Sequence, residues 1–124
     1  MDRQILENIF VTALEGGSNY WCHINMRNHR AIRKAVSFED DPYFSTAILK
    51  AILDHGVSVE INDAENEDDI LGVFTAETIK QRLEELANDE GLSYALEAEI
   101  DEEGDAETSD VVFQYLLFGD LIFS

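Results

Sequence analysis

The sequence predicts a single compact domain, residues 1–124, of the α+β class: helix-rich, with about five helices, a small two- or three-stranded sheet and a buried C-terminal helix. Three observations predict it. From Val111 to Phe118 the chain is apolar except for Gln114, and after Gly119 a second apolar run follows, Leu121-Ile122-Phe123. A helix that is hydrophobic nearly all round must be covered on most of its faces, so the other elements wrap it. Upstream, stretches with helical spacing of apolar residues are interspersed with short alternating ones. Finally, 124 residues with 45% hydrophobic content can bury one core, and no repeat, low-complexity tract or linker divides them.

Taken in order, residues 2–15 read as a first helix, with Leu6, Phe10, Ala13 and Leu14 on one stripe and Ile5 and Ile9 widening it. Gly16-Gly17 ends it, one of the two supplying a left-handed residue after the last turn. Ser18 to Met26 alternates Tyr20, Cys22, Ile24 and Met26 against Trp21, His23 and Asn25, the pattern of a strand. The basic stretch RNHRAIRK, Arg27 to Lys34, aligns Arg27, Arg30 and Lys34 if helical. Asp41 reads as the N-cap, and Pro42 as the first residue, of a helix carrying Phe44, Ile48, Ala51, Ile52 and His55, closed by Gly56. Val57 to Asn62 alternates as a second strand that pairs with the first.

Asp63 to Asp69, DAENEDD, is a charge run suited to a solvated loop. Thr75 caps a further helix reaching Asn88, with Ile79, Leu83 and Leu86 on its apolar side. Leu92, Leu96 and Ile100 outline the next. After the acidic turn at Asp101-Glu102-Glu103-Gly104, Asp105 caps the C-terminal helix, and Glu107 lies in its first turn, where negative charge is favoured.

Charge narrows the function classes. The chain has 27 Asp and Glu against 8 Lys and Arg, a formal charge of -19. Residues 1–55 hold seven acids and six bases, whereas residues 56–124 hold twenty acids and only Lys80 and Arg82. Such a field repels nucleic acid and anionic lipid and steers cationic partners inward, so direct nucleic-acid binding is not expected. Cys22 is the only cysteine, which excludes an intrachain disulfide and suits a reducing compartment. The N-terminus lacks the apolar core of a signal peptide, and no run approaches the roughly eighteen apolar residues of a membrane span. A cytoplasmic protein is expected.

No catalytic signature is present. Gly16-Gly17 follows a helix and faces its carbonyl end, whereas phosphate is held by amides at a helix start. Cys22, His23, His29 and His55 match no metal spacing, and the acidic loop lacks the glycine and terminal glutamate of a calcium loop. Neither an enzyme nor a cofactor or metal is expected. Glu107, Asp110 and Gln114, spaced i, i+3 and i+7, form the one polar line on the C-terminal helix, either a pocket wall or a buried polar rim.

Two segments, LEGGSNYW at Leu14 to Trp21 and DAETSDVVFQYLLFGDLIF at Asp105 to Phe123, together resemble a family of small uncharacterised proteins of phage genomes and phage-derived chromosomal regions. LGVFTAETI, Leu71 to Ile79, shares the likeness, which therefore spans most of the chain. This chain departs from the pattern at Cys22, where family members carry a further aromatic. The resemblance implies a phage accessory setting, in which small acidic proteins act against host defence or host enzymes; it implies no activity.

Two functional expectations follow. In the first, Glu84, Glu85, Asp89, Glu97, Glu99, Asp101, Glu102 and Glu103 form an acidic surface that docks a basic host protein, imitating the charge of a nucleic-acid backbone in a counter-defence role. In the second, Asn19, Tyr20 and Trp21 frame a small-ligand or nucleotide pocket against Glu107, Asp110 and Gln114, with Arg27 or Arg30 serving an anionic group.

Overall fold

The computed structural model describes every residue from Met1 to Ser124. Its elements run α1 (Arg3–Thr12), a π-helical turn (Ala13–Gly17), β1 (Cys22–His23), α2 (Met26–Ala35), α3 (Phe44–His55), β2 (Val59–Asp63), β3 (Ile70–Phe74), α4 (Ala76–Ala87), α5 (Ser93–Ile100) and α6 (Ala106–Phe118). Six α-helices and a three-stranded antiparallel sheet of order β1-β2-β3 thus realise the α+β class read from the sequence.

The apolar run that predicts a buried C-terminal helix does form one. In α6 every residue from Ser109 to Leu116 is buried, and α1, α4, α5 and β3 all pack against it. Phe113 meets Phe10 and Phe74, each with ring centroids 5.2 Å apart in edge-on geometry. Aromatic rings favour that arrangement because the positive edge of one faces the negative face of the other. The caps at both ends follow from residue chemistry. Asp105 accepts the Thr108 amide at 2.9 Å, while the Thr108 hydroxyl accepts the Asp105 amide at 2.8 Å. Gly119 closes the helix at φ 76°, a left-handed turn that costs glycine nothing. Thr75 and Thr78 form the same reciprocal box at the start of α4, as the sequence predicts for Thr75.

Three local expectations are corrected. Ser18 to Met26 is not one strand: only Cys22 and His23 pair, with Asp63 and Asn62 of β2, and Met26 already begins α2. Alternation would send Tyr20 and Trp21 to opposite faces, whereas both donate to one carboxylate, on Asp110. Neither Gly16 nor Gly17 is left-handed; Gly16 is extended at φ 178°, and the left-handed glycines are Gly56 and Gly119.

Asp41 is not the N-cap of α3. That position is Tyr43, without a side-chain cap, and Pro42 lies outside the helix. The buried Asp41 carboxylate instead accepts the Tyr43 amide at 3.0 Å and the Thr46 hydroxyl, and pairs with Lys50 at 3.1 Å. Burial raises its pKa, but those donors and the ammonium outweigh it and hold Asp41 below the ordinary carboxylate range. The third strand that the fold class allows is β3, over residues that the sequence reading left unassigned. It is an outer strand with Ile70 and Val73 exposed and only Phe74 buried, paired to β2 through an irregularity at Ile61/Asn62.

Candidate functional site

Four side chains, Ser18, Tyr20, Trp21 and Gln114, converge on Asp110. On its Oδ1 atom arrive the Ser18 hydroxyl at 2.7 Å and the Trp21 indole N–H at 2.8 Å; on Oδ2 arrive the Tyr20 hydroxyl at 2.6 Å and the Gln114 amide at 3.0 Å. Gln114 carries the network onward. Its Oε1 accepts the amides of Ile122 and Phe123 at 2.9 and 2.8 Å, and its Nε2 also donates to the Phe123 carbonyl at 3.1 Å. Segments some ninety residues apart in sequence, and the chain end after Gly119, are therefore fastened to one face of α6. Trp21 is buried and stacks on Phe123 at 5.1 Å, with the rings 10° from parallel. Such geometry is a lock, because a buried carboxylate with four neutral donors and a fully engaged amide has no free position for a substrate.

The polar line of α6 splits accordingly. Asp110 and Gln114 are buried and internally satisfied, while Glu107 is exposed. Around the lock the GGSNYW segment divides between two cavities. An open cleft of about 530 Å³ is lined by Tyr20, Tyr94, Glu107, Asp110 and Phe123. A second, of about 340 Å³, takes Asn19 with Cys22, His29, Phe44 and Ser45. Trp21 lines neither. Arg27 lies on exposed α2, paired with Glu60 at 2.8 Å; Arg30 is exposed on the same helix, and neither reaches the cleft beside Tyr20. The residues of the ligand-pocket expectation are thus distributed over a core lock, two cavities and a helix face.

The acidic set divides as well. Glu99 is drawn inward, its Oε1 accepting the hydroxyls of Thr108 and Ser109 at 2.9 and 2.6 Å in the first turn of α6. A carboxylate there also meets the positive end of the helix. Asp89 accepts the amides of Gly91 and Leu92, both at 2.9 Å, and Glu85 pairs with Arg82 at 2.8 Å. Glu84, Glu97, Asp101, Glu102 and Glu103 remain exposed, with Glu102 holding a left-handed turn at φ 59°. Between α4 and α5 runs an apolar groove of about 540 Å³, walled by Leu6, Leu53, Ile79, Leu83, Leu96 and Ile100. Lys80 and Glu84 line it too, and Ile100 stands 47% exposed at its edge. Glu97 and Asp101, next in sequence to Leu96 and Ile100, are exposed but do not line it. Sequence reasoning found these carboxylates but not the groove, because the walls come from four separate segments. Ser18 was missed because its partner, Asp110, stands 92 residues away.

Three groups resist ionisation. The Tyr20 hydroxyl, turned inward although its ring is half exposed, is pushed up to about 12 by burial and by its bond to Asp110. Burial, with the Asp110 charge second, raises the Cys22 thiol to about 12, and burial raises Tyr115. A group whose folded pKa is raised contributes stability that is complete below its unfolded pKa and is lost as pH climbs through the folded one. The folded chain is therefore expected to hold its urea midpoint up to about pH 8.5, where an unfolded thiol begins to ionise, and to lose it progressively toward pH 12. Tyr20→Phe should flatten the part of that loss above pH 10; an unchanged alkaline profile would contradict the Tyr20–Asp110 bond.

The fold and site thus define a helix-rich α+β protein with an internal polar lock and an apolar groove whose charged lining residues are Glu84 and Lys80. Comparison with protein-family models, with curated proteins and with solved structures returns no match to this chain. No helix is long and apolar enough to cross a membrane.

Proposed function

We propose that this chain is a non-enzymatic, cytoplasmic interaction protein that docks a basic protein through the apolar groove between α4 and α5 and the exposed carboxylates of these two helices. The observation that carries the reading is the groove itself: an apolar trough lined by Glu84 and Lys80, on a chain whose Glu97, Asp101, Glu102 and Glu103 are all exposed on and just after α5. Interfaces derive most of their affinity from a buried apolar centre, while rim charges set the partner's sign and the association rate. A net charge of -19, concentrated in the second half of the chain, extends that preference over the whole approach. The resemblance to phage proteins supports a host protein as the partner, of the kind that holds nucleic acid in a basic groove, such as a nuclease or defence component.

The test is a pull-down from bacterial lysate with the native chain and with a Glu84→Lys, Glu97→Lys, Asp101→Lys triple variant, at low and high salt. A basic protein should be held stoichiometrically at low salt, released at high salt as exposed pairs are screened, and captured about tenfold less by the variant. Salt-insensitive capture that survives the triple reversal would sink the reading, provided circular dichroism shows both chains folded.

A further inference from the structure

The cleft beside the polar lock, of about 530 Å³, presents accessible aromatic rings and negative charge together. Tyr20 and Tyr94 line it from segments far apart in the chain, and they are 50% and 51% exposed. A single exposed aromatic needs no explanation, but two that converge on one cleft mark a contact surface. Tyr20 is also held in place. Its hydroxyl donates to Asp110 at 2.6 Å and accepts the Gln114 amide at 3.3 Å, so the half-exposed ring cannot swing away. Phe123, stacked on Trp21, adds a third ring to the lining.

Charge sets the class of the ligand. Glu107 stands exposed at the cleft and takes part in no ion pair. Behind the Tyr20 hydroxyl, four neutral donors surround the Asp110 carboxylate and no cation pairs with it. No Lys, Arg or His lines the cleft, and the chain carries a net charge of -19. The first amides of α6, which would favour an anion, are already met by the Asp105 cap. An anion is therefore repelled, while a cation is drawn by both the carboxylates and the negative faces of the rings. A primary ammonium would bring three N–H donors in search of acceptors, and those of Asp110 are spent. A quaternary ammonium brings none and is more weakly hydrated.

We infer that this cleft binds a small organic cation of the quaternary-ammonium type, its methyl groups against Tyr20, Tyr94 and Phe123 and its charge offset by Glu107. Asp110 contributes only through its field, because its oxygens stay on their four donors. The site is independent of the docking groove, since the two share no lining residue.

The test titrates isotope-labelled chain with choline and with neohexyl alcohol, in which carbon replaces the charged nitrogen, while following amide resonances at one ionic strength set with sodium chloride. Choline should shift Gly17, Tyr20, Tyr94 and Glu107 as one saturable set in the millimolar range, and neohexyl alcohol should bind about fivefold more weakly or less. Glu107→Gln should weaken choline about threefold. Tyr94→Leu, at an exposed position, should weaken it about fivefold, whereas Tyr94→Phe, which keeps the ring face, should stay within about twofold of the native chain. Shifts spread over the acidic surface without saturation, neohexyl alcohol binding as tightly as choline, or full choline affinity in the Tyr94→Leu and Glu107→Gln chains would each overturn the inference.

Discussion

Asp110→Ala is expected to lower the unfolding free energy by about 3–5 kcal/mol, because it removes one acceptor from several buried donors at once. Ser18 is fully buried and Trp21 is 3% exposed, so the hydroxyl and indole N–H that meet Oδ1 would be left in the core without a replacement. Tyr20 and Gln114 lose their Oδ2 partner too, but the Tyr20 ring is half exposed and its hydroxyl can turn toward water. Asp110→Asn keeps the shape, but its amide directs a donor at donors, and about 2 kcal/mol is expected there. Urea unfolding followed by the fluorescence of Trp21, the only tryptophan, reads both. In a chain of this size the alanine variant should melt on the order of 10 °C lower. A midpoint within about 1 kcal/mol of the native one would show that Asp110 does not hold the fold together. If ligand capture fell while that midpoint stayed, Asp110 would be a binding residue.

Which parts of this architecture could be read from the sequence follows from the range of the interactions involved. Caps are local, and Thr75 and Asp105 stand three residues from the amides they accept, so both were legible. The C-terminal helix was legible because its burial is written into its composition. Ser18 to Trp21 was not. Its conformation is set by a carboxylate some ninety residues away, and the alternation of Tyr20, Cys22 and Ile24 imitates a strand that tertiary hydrogen bonds override. The helical basic stretch shows the opposite case: α2 buries only Asn28 and Ile32, so it offers little apolar periodicity, yet Asn25 caps it through the Asn28 amide at 3.1 Å.

The candidate site divides along the same line. Exposed charge is a property of composition, and Glu84, Glu97, Asp101, Glu102 and Glu103 are indeed exposed. Whether a given carboxylate is free depends on what folds against it. Glu99 spends its acceptors on Thr108 and Ser109, which no spacing rule foretells, whereas Asp89 takes the Gly91 and Leu92 amides in a local turn. A groove or cavity belongs to several segments at once and has no signature in any one of them.

The doubled glycine supplies the second large effect and separates close packing from turn chemistry. A Cβ on Gly17 would sit 2.7 Å from the Ala106 carbonyl oxygen and 3.4 Å from that of Thr12, both backbone atoms, whereas a Cβ on Gly16 would meet nothing within 4 Å. Ala106 opens α6, and its position is fixed by the Asp105–Thr108 box, so it cannot yield as a flexible side chain would. Relief must come from moving the start of α6 away from the end of α1, which drags Ser18 off Asp110. Gly17→Ala should therefore cost about 2–3 kcal/mol and Gly16→Ala less than about 1 kcal/mol, measured by the same urea unfolding. Equal costs would mean that the pair serves the turn. A large gap, with Gly17 the sensitive residue, would mean that this motif exists to let α1 and α6 touch, and that Ser18, Tyr20 and Trp21 reach Asp110 because they do.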